Sequence, residues 1–194
     1  MKKVYVFLAE GFEEIEALAP VDIMRRAELD VVTVSIYEDL TVIGAHGIPL
    51  MADTIFGLCD YDDAALLFLP GGMPGAANLL NCNPLCELLE KKHREGTPLA
   101  AICAAPAVLG ELGLLEGCRA TCYPGFEEHL KGADIDGNAL IVRDGETLFT
   151  GCGPAAAPAL GFAFVEQLCG KEKADEIRSG MMFGRIRNEE LEIK

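Results

Sequence analysis

The sequence is organised around short apolar runs that lack the alternation of a half-buried strand. The clearest of these runs occupy residues 3–9, 64–70 and 98–103. A strand that is apolar on both sides must be covered on both faces. Helical segments follow these runs, at residues 13–27, 83–96 and 106–112. The alternation predicts an α/β protein with a mostly parallel sheet and helices on both faces.

The remaining segments predict further strands and helices, connecting loops and the bounds of the domain. The glycine- and proline-rich loop at 70–75 is expected to lack regular structure, and Pro20 is expected to kink the first helix. We expect one domain over residues 1–180, followed by a polar C-terminal tail at 181–194. The pattern also predicts strands at 30–36 and 119–124, a hairpin within 41–53, two strands within 139–151 and a helix at 158–170.

Charge and hydropathy narrow the range of partners. The formal net charge is -15, and the 16 lysine and arginine residues are scattered along the chain. Such a chain repels phosphate backbones and anionic lipids, so we expect no nucleic-acid binding and no membrane binding. No apolar run reaches the ~18–20 residues that cross a bilayer, and the first residues lead directly into a strand-like run. We therefore expect a cytoplasmic protein that acts on small molecules or proteins.

The eight cysteines do not indicate a disulfide scaffold or a zinc site. The chain is long enough to stabilise itself without disulfides, so reduced thiols are expected. No C-x-x-C motif occurs, and the three histidines, His46, His93 and His129, are far apart in the sequence. The sequence therefore predicts no metal site.

Cys103 is the strongest candidate for a functional residue. In the segment LAAICAAP a buried strand runs directly into this cysteine, and a helix must begin near Pro106. This is the pattern of a nucleophile elbow. Amide groups at the helix N-terminus favour a thiolate over a thiol, and the small Ala104 leaves room for a substrate. The alternative is a cysteine that is simply buried in the core.

Glu16 is the second candidate. Acidic residues at the start of a helix are usually solvated, which accounts for Glu13 and Glu14. Glu16 differs because it lies one turn before Pro20, among apolar neighbours. A carboxyl group in apolar surroundings keeps its proton, and it can then donate a hydrogen bond to a nearby thiolate.

The loop PGGMPG adds amide groups near the same edge of the sheet. Loops after the first, third and fourth strands, with Glu16 just beyond the first, should meet where the parallel strands end. The amides of Gly71 and Gly72 are expected to form an anion hole with that of Ala104. The segment GCGPAA at 151–156 matches a dinucleotide-binding pattern, but it comes last in the chain and its proline removes a needed amide, so we reject that interpretation.

A histidine base for Cys103 is not evident. None of the three histidines follows a strand where it would face the cysteine. His129 comes closest and is kept as an alternative partner. The hydroxyl of Tyr123, at the end of the predicted strand 119–124, is another.

Four segments together resemble the ThiJ/PfpI family, of the class I glutamine amidotransferase-like superfamily, and within it the branch of the Parkinsonism-associated deglycase. These segments are AEGFEEIEALAPVDIMRRA, LPGGMPGA, AAICAAP and TGCGPAAAPA, and the resemblance runs from about residue 3 to residue 175. It implies a flavodoxin-like three-layer sandwich, a homodimer and no bound cofactor.

The resemblance also implies roles for individual residues. The reactive cysteine of the family falls on Cys103, its protonated glutamate on Glu16, and its glycine pair on Gly71 and Gly72. Tyr123 stands where some members have histidine, which argues against a cysteine–histidine protease. Two further positions, His46 and Cys152, stand where the branch often has arginine, so the rim of the site is expected to be less basic.

Three functions follow from these residues. The leading hypothesis is a glyoxalase or deglycase that acts on reactive dicarbonyls or their early adducts on proteins and nucleotides, with Cys103 as nucleophile and Glu16 as proton shuttle. The alternative is an oxidative-stress sensor or redox-regulated chaperone in which Cys103 is oxidised, with Cys152 as a possible redox partner. An intracellular cysteine peptidase ranks third because a histidine is missing.

Overall fold

The computed structural model describes residues 2–185 and contains one large sheet. Its helices are α1 Glu14–Arg26, α2 Gly75–Leu80, α3 Asn83–Arg94, α4 Pro106–Glu111, α5 Ala157–Cys169 and α6 Lys171–Gly180. Its strands are β1 Lys3–Leu8, β2 Val31–Ser35, β3 Thr41–Ile43, β4 Pro49–Met51, β5 Thr54–Ile55, β6 Ala64–Leu69, β7 Leu99–Ile102, β8 Arg119–Ala120, β9 Asp134–Ile135, β10 Ile141–Asp144 and β11 Leu148–Gly151.

The seven-stranded sheet has the order β10-β11-β7-β6-β1-β2-β5. All neighbouring strands are parallel except β10, which pairs antiparallel with β11. The strand order reverses between β1 and β6, since the chain moves to one side after β1 and to the other side from β6 onward. The loops that follow β1, β6 and β7 therefore end at the same edge of the sheet.

Side chains of each central strand point alternately to two separate cores. Val6 of β1 packs in a core with residues of α1 and α5, such as Met24 and Phe164. Phe7, the next residue of β1, packs in a second core with Leu89 of α3 and with residues of α4. These two cores confirm the sheet with helices on both faces that the apolar runs predicted, and the three layers form the flavodoxin-like sandwich that the family resemblance implied.

Two small sheets lie outside the large one. The hairpin β3–β4 is antiparallel and confirms the prediction for residues 41–53. The predicted strand at 119–124 is shorter than expected, because only β8 pairs, with β9. Three of these helices and strands were not predicted: α2, which begins at Gly75, the edge strand β5, and β9.

The C-terminal region begins with α6 and continues in contact with the helices. The ring of Phe183 packs edge-on against that of Phe162 in α5, with centroids 4.9 Å apart. The predicted polar tail at 181–194 therefore begins with packed residues, and residues 186–194 lie outside the described part of the chain. Among residues 2–185, no helix is both long and apolar enough to cross a membrane.

Candidate active site

Cys103 lies in the turn between β7 and α4. Its φ is 64°, in the left-handed region that residues other than glycine seldom adopt. Two backbone hydrogen bonds of 2.8 Å hold it there: its N–H donates to the carbonyl of Gly151, and its carbonyl accepts from the N–H of Tyr123. A strand, a strained residue and a helix that starts at Pro106 make the predicted nucleophile elbow.

Glu16 lies in the first turn of α1 and has no exposed surface. Its Oε2 accepts a hydrogen bond of 2.9 Å from the N–H of Gly71. Its Oε1 is buried and has no hydrogen-bond partner in the described part of the chain. The thiol of Cys103 interacts with the same carboxyl group. Since a buried carboxylate oxygen without a donor is costly, the geometry favours a protonated acid.

Gly71 lies between these two side chains. A Cβ atom at this position would lie 2.6 Å from Oε2 of Glu16 and 2.7 Å from both the Cβ of Cys103 and the carbonyl oxygen of Ile102. These distances are shorter than any real contact of a Cβ atom, so the close approach requires glycine. The loops after β1, β6 and β7 thus bring Glu16, Gly71 and Cys103 together.

The pKa of Glu16 is raised from 4.5 to about 7. Burial is the main cause, and the charge of Glu13 adds to it, while the neighbouring Cys103 thiol and the hydrogen bond from Gly71 act in the opposite direction. A carboxyl group with this pKa is substantially protonated at neutral pH. The expectation of a raised pKa for this acid agrees with the structure.

The thiol of Cys103 departs from the prediction. Burial raises its pKa to about 12, and the charge and hydrogen bond of an ionised Glu16 add to the rise. The amides of Gly72 and Ala104 lower it, as the helix N-terminus predicted, but they do not compensate. The predicted direction of the pKa shift is therefore wrong, because burial, its largest cause, favours the thiol. A protonated Glu16 removes the opposing charge, so the two groups titrate as a pair.

The predicted anion hole also needs correction. The N–H of Gly71 donates to Glu16, so it does not face an anion at Cys103. The amides of Gly72 and Ala104 are the two that interact with the sulfur. An anion hole at Cys103 therefore has two amides, from the loop after β6 and from the start of α4.

Tyr123 and Cys152 flank the elbow through their backbones. The side chain of Tyr123 is 47% exposed, and its ring lies over Gly153, where a Cβ atom would be 3.2 Å from Cδ2. Cys152 follows the residue whose carbonyl holds Cys103, and it packs against the apolar core beneath α5. Both residues stay candidates for the rim of the site.

The two candidate histidines pair with acids away from Cys103. Nδ1 of His46 lies 2.7 Å from Oε2 of Glu14, beside the start of α1. Nδ1 of His129 lies 3.0 Å from Oε1 of Glu111, the last residue of α4. Since α4 begins next to Cys103, its far end lies about 8 Å further along the helix axis. The structure therefore does not support His129 as a partner of the cysteine.

One group of possible metal ligands was not found from sequence spacing. Ligand atoms of Glu13, Glu14 and His46 all lie within 4.8 Å of one another. Hydrogen bonds within the protein account for the group, because Glu13 accepts from the N–H of Glu16 and Glu14 pairs with His46. The absence of a metal site remains a prediction.

Comparisons with known proteins show the family of this chain. A family model described as the DJ-1/PfpI family matches residues 2–167. The chain belongs to the DJ-1/PfpI family. Toxoplasma gondii DJ-1, in a structure titled as oxidized, is similar to it with a TM-score of 0.88 and 32% identity over 94% of this chain and 98% of that one.

Two DJ-1/PfpI relatives in sequence differ in length. The chain is 41% identical to protein DJ-1 homolog B from Arabidopsis thaliana over 91% of its own length, but it spans only 40% of that relative. It is 31% identical to a protein named a deglycase from Pyrococcus abyssi, over 74% of this chain and 86% of that one. One relative of this chain, the protein from Pyrococcus abyssi, is thus named for an enzymatic activity.

Proposed function

We propose that this DJ-1/PfpI protein is a cysteine-dependent, cofactor-independent enzyme of the glyoxalase or deglycase type. The observation that carries the proposal is the buried carboxyl group of Glu16, whose Oε1 has no partner among the described residues, beside the thiol of Cys103. A carboxyl with a pKa of about 7 is suited to give and take a proton at neutral pH.

The proposed reaction begins when the sulfur of Cys103 attacks the aldehyde carbon of a dicarbonyl. An S–C bond forms, the carbonyl oxygen takes up the proton, and a hemithioacetal results. Glu16 in its ionised form then removes the proton from this carbon and delivers it to the neighbouring carbon, while the hydroxyl proton moves to the neighbouring carbonyl oxygen, which gives the thioester of a hydroxy acid. Water cleaves the S–C bond and releases a hydroxy acid and the free thiol. The net reaction combines the dicarbonyl with water to give the hydroxy acid, with no net oxidation or reduction.

The amides of Gly72 and Ala104 have a defined part in this scheme. Both amides interact with the sulfur of Cys103. During the attack they would stabilise negative charge on the carbonyl oxygen of the substrate. With an early adduct on a protein or nucleotide, the sulfur of Cys103 would instead displace the bound amine or thiol, which leaves with the proton of the Cys103 thiol, and the same hemithioacetal results. The name of the Pyrococcus abyssi relative supports such adducts as a second substrate class.

Turnover of methylglyoxal in metal-free buffer tests the proposal. We expect Cys103→Ala to abolish turnover and Glu16→Gln to lower it by about 100-fold or more, since each removes a group that acts on the reacting atoms. Cys169→Ala, at an exposed cysteine, serves as the matched control and should keep full activity. Full activity of either site variant would overturn the proposal.

Oxidation of Cys103 is the second candidate function. Two amides already face the sulfur, and they would stabilise the negative charge of a sulfinate. The similar Toxoplasma gondii structure is titled as oxidized. Mass measurement after mild peroxide treatment separates the two functions: two oxygen atoms confined to Cys103, in a protein without dicarbonyl turnover, would favour a sensor or redox-regulated chaperone over an enzyme.

We also propose a homodimer and a reducing, cytosolic compartment. The α1–hairpin patch consists of the exposed apolar side chains of Ile15 and Leu18 on α1 and of Ile48 and Met51 in the β3–β4 hairpin. These elements are adjacent, since a Cβ atom on Gly44 would touch Glu14. A patch of this kind fits a second copy of the chain. All eight cysteines are free, as expected in a reducing compartment.

A further inference from the structure

Glu13 is joined to the site by a closed set of hydrogen bonds. Its Oε2 accepts from the N–H of Glu16 at 2.7 Å, and its own N–H donates to the carbonyl of Gly71 at 2.9 Å. The N–H of Gly71 in turn donates to Oε2 of Glu16 at 2.9 Å. The three residues therefore fix one another, and Glu13 is the one that does not touch Cys103.

The surroundings leave little freedom for this arrangement. Glu13 is 8% exposed, although it is an acid at the start of a helix, where acids are usually solvated. A Cβ atom on Gly72 would lie 2.4 Å from the backbone nitrogen of Glu13, so the glycine loop packs directly on it. Glu13 thus serves as the N-cap of α1 and as the support of the glycine loop.

We propose that Glu13 is a positioning residue that keeps the proton on Glu16. Its carboxylate sits one turn from Glu16, in a site with little water, and disfavours a second negative charge there. Its hydrogen bonds with Gly71 and with the N–H of Glu16 hold Oε1 of Glu16 free for the cysteine. The inference deepens the proposed function and rests on it, because it concerns the acid that the mechanism uses.

Cys103, Glu14 and His46 are further titratable groups near Glu13 and Glu16. Glu16 is faced from the elbow by Cys103, whose hydrogen bond lowers the pKa of the acid, and from its own helix by Glu13, whose charge raises it. Glu13 is faced from the β3–β4 loop by His46, which pairs with Glu14. A protonated His46 would offset part of the field of Glu13, so the effect of Glu13 is greatest when this histidine is neutral.

The test measures the pKa of Glu16 directly. Protein labelled with carbon-13 at the glutamate carboxyls is titrated by NMR, and the Glu16 signal is identified by its loss in Glu16→Gln. We expect Glu13→Gln, which keeps an oxygen for the cap but removes the charge, to lower the pKa of Glu16 by about one unit, a tenfold change in its ionisation. Glu13→Asp, which keeps the charge at a good capping residue, should restore most of the shift.

Glu14→Gln is the matched control, because Glu14 is a neighbouring buried acid whose carboxylate turns towards His46. It should leave the titration of Glu16 unchanged. A Glu16 signal that titrates near 7 in both the wild type and Glu13→Gln would overturn this inference and leave the proposed function intact. A signal that titrates near 4.5 in the wild type would overturn the protonated acid on which the proposed function depends.

Discussion

Glu16 places one carboxyl oxygen on the amide of Gly71 and leaves the other without a donor in the described structure. Loss of solvation destabilises the charged form of this carboxyl group, so it raises the pKa of Glu16 in the folded protein. Burial also raises the pKa of the Cys103 thiol. We therefore expect the ionisation of the thiol to depend on the protonation state of Glu16, as well as on burial and on the helix N-terminus.

The raised pKa of Glu16 predicts a pH-dependent stability. Because the folded protein holds this proton more tightly than the unfolded chain, the contribution is fully present below about pH 4.5 and is lost as the pH rises through 7. A rise from 4.5 to about 7 corresponds to about 3 kcal/mol. Between pH 4.5 and 8, Glu16→Gln should gain about this much stability relative to the wild type, measured by urea unfolding.

Glu38→Gln is a suitable control for that series, since Glu38 is exposed. Its difference from the wild type should stay flat over the same range. A flat difference for Glu16→Gln as well would mean that the acid is not desolvated in the folded protein.

The residues of the site were predictable where a local pattern marked them. Cys103 stands between a buried strand and a helix start, and Glu16 stands among apolar neighbours, so both could be selected from the sequence. The partner of each amide could not be selected. Whether Gly71 donates to an anion or to Glu16 depends on a contact across 55 residues of chain. Burial of the thiol is set by tertiary packing, and it reversed the expected direction of its pKa.

At the scale of elements, the apolar runs and capping residues predicted the main helices and strands well, and the misses have tertiary causes. The helix α2 has only six residues and starts with glycine, and its first N–H bonds to the carbonyl of Gly11 on another loop. Residues after β8 leave the predicted strand because Thr121 donates to Thr150 and Tyr123 donates to Cys103. These backbone N–H groups therefore bond to Thr150 and to the elbow residue Cys103 and do not pair with a neighbouring strand.

The contact between α1 and α5 is the element-scale feature that positions Glu16. A Cβ atom on Gly161 of α5 would lie 3.0 Å from Cδ1 of Ile23 and 3.1 Å from the Cα of Pro20, both in α1. Gly161→Leu should therefore overpack this contact, lower the free energy of unfolding by about 2 kcal/mol and reduce methylglyoxal turnover by displacing α1. Chemical denaturation and kinetic assays check both effects.

Gly180→Leu provides the comparison, because among residues 2–185, apart from its chain neighbours and the backbone of its own helix, nothing lies within 4 Å of a Cβ atom at this helical position. It should change neither stability nor turnover appreciably. Equal stability of the two variants would show that α1 and α5 have room to separate without cost.

For the whole molecule, the α1–hairpin patch bears on assembly. Met51 is 73% exposed at the end of β4, in the same hairpin as Ile48. A lysine placed at the centre of an apolar interface must be desolvated, so Met51→Lys should convert a dimer to a monomer or weaken it by about tenfold or more. Sedimentation velocity across a range of concentrations measures the change.

Leu58→Lys tests whether the effect belongs to the patch. Leu58 is 77% exposed but lies in the segment after β5, outside the patch. This variant should assemble as the wild type does. If the wild type itself sediments as a monomer at all concentrations, the homodimer proposal fails.

The left-handed backbone conformation at position 103 does not depend on the thiol group of Cys103. Its place is defined by backbone bonds to Gly151 and Tyr123, which do not involve the thiol. A different small side chain at 103 is therefore presented at the same point beside Glu16, while the scaffold stays intact. Serine would offer a hydroxyl and alanine an empty niche, so a fold of this kind can acquire or lose a chemistry through a single exchange.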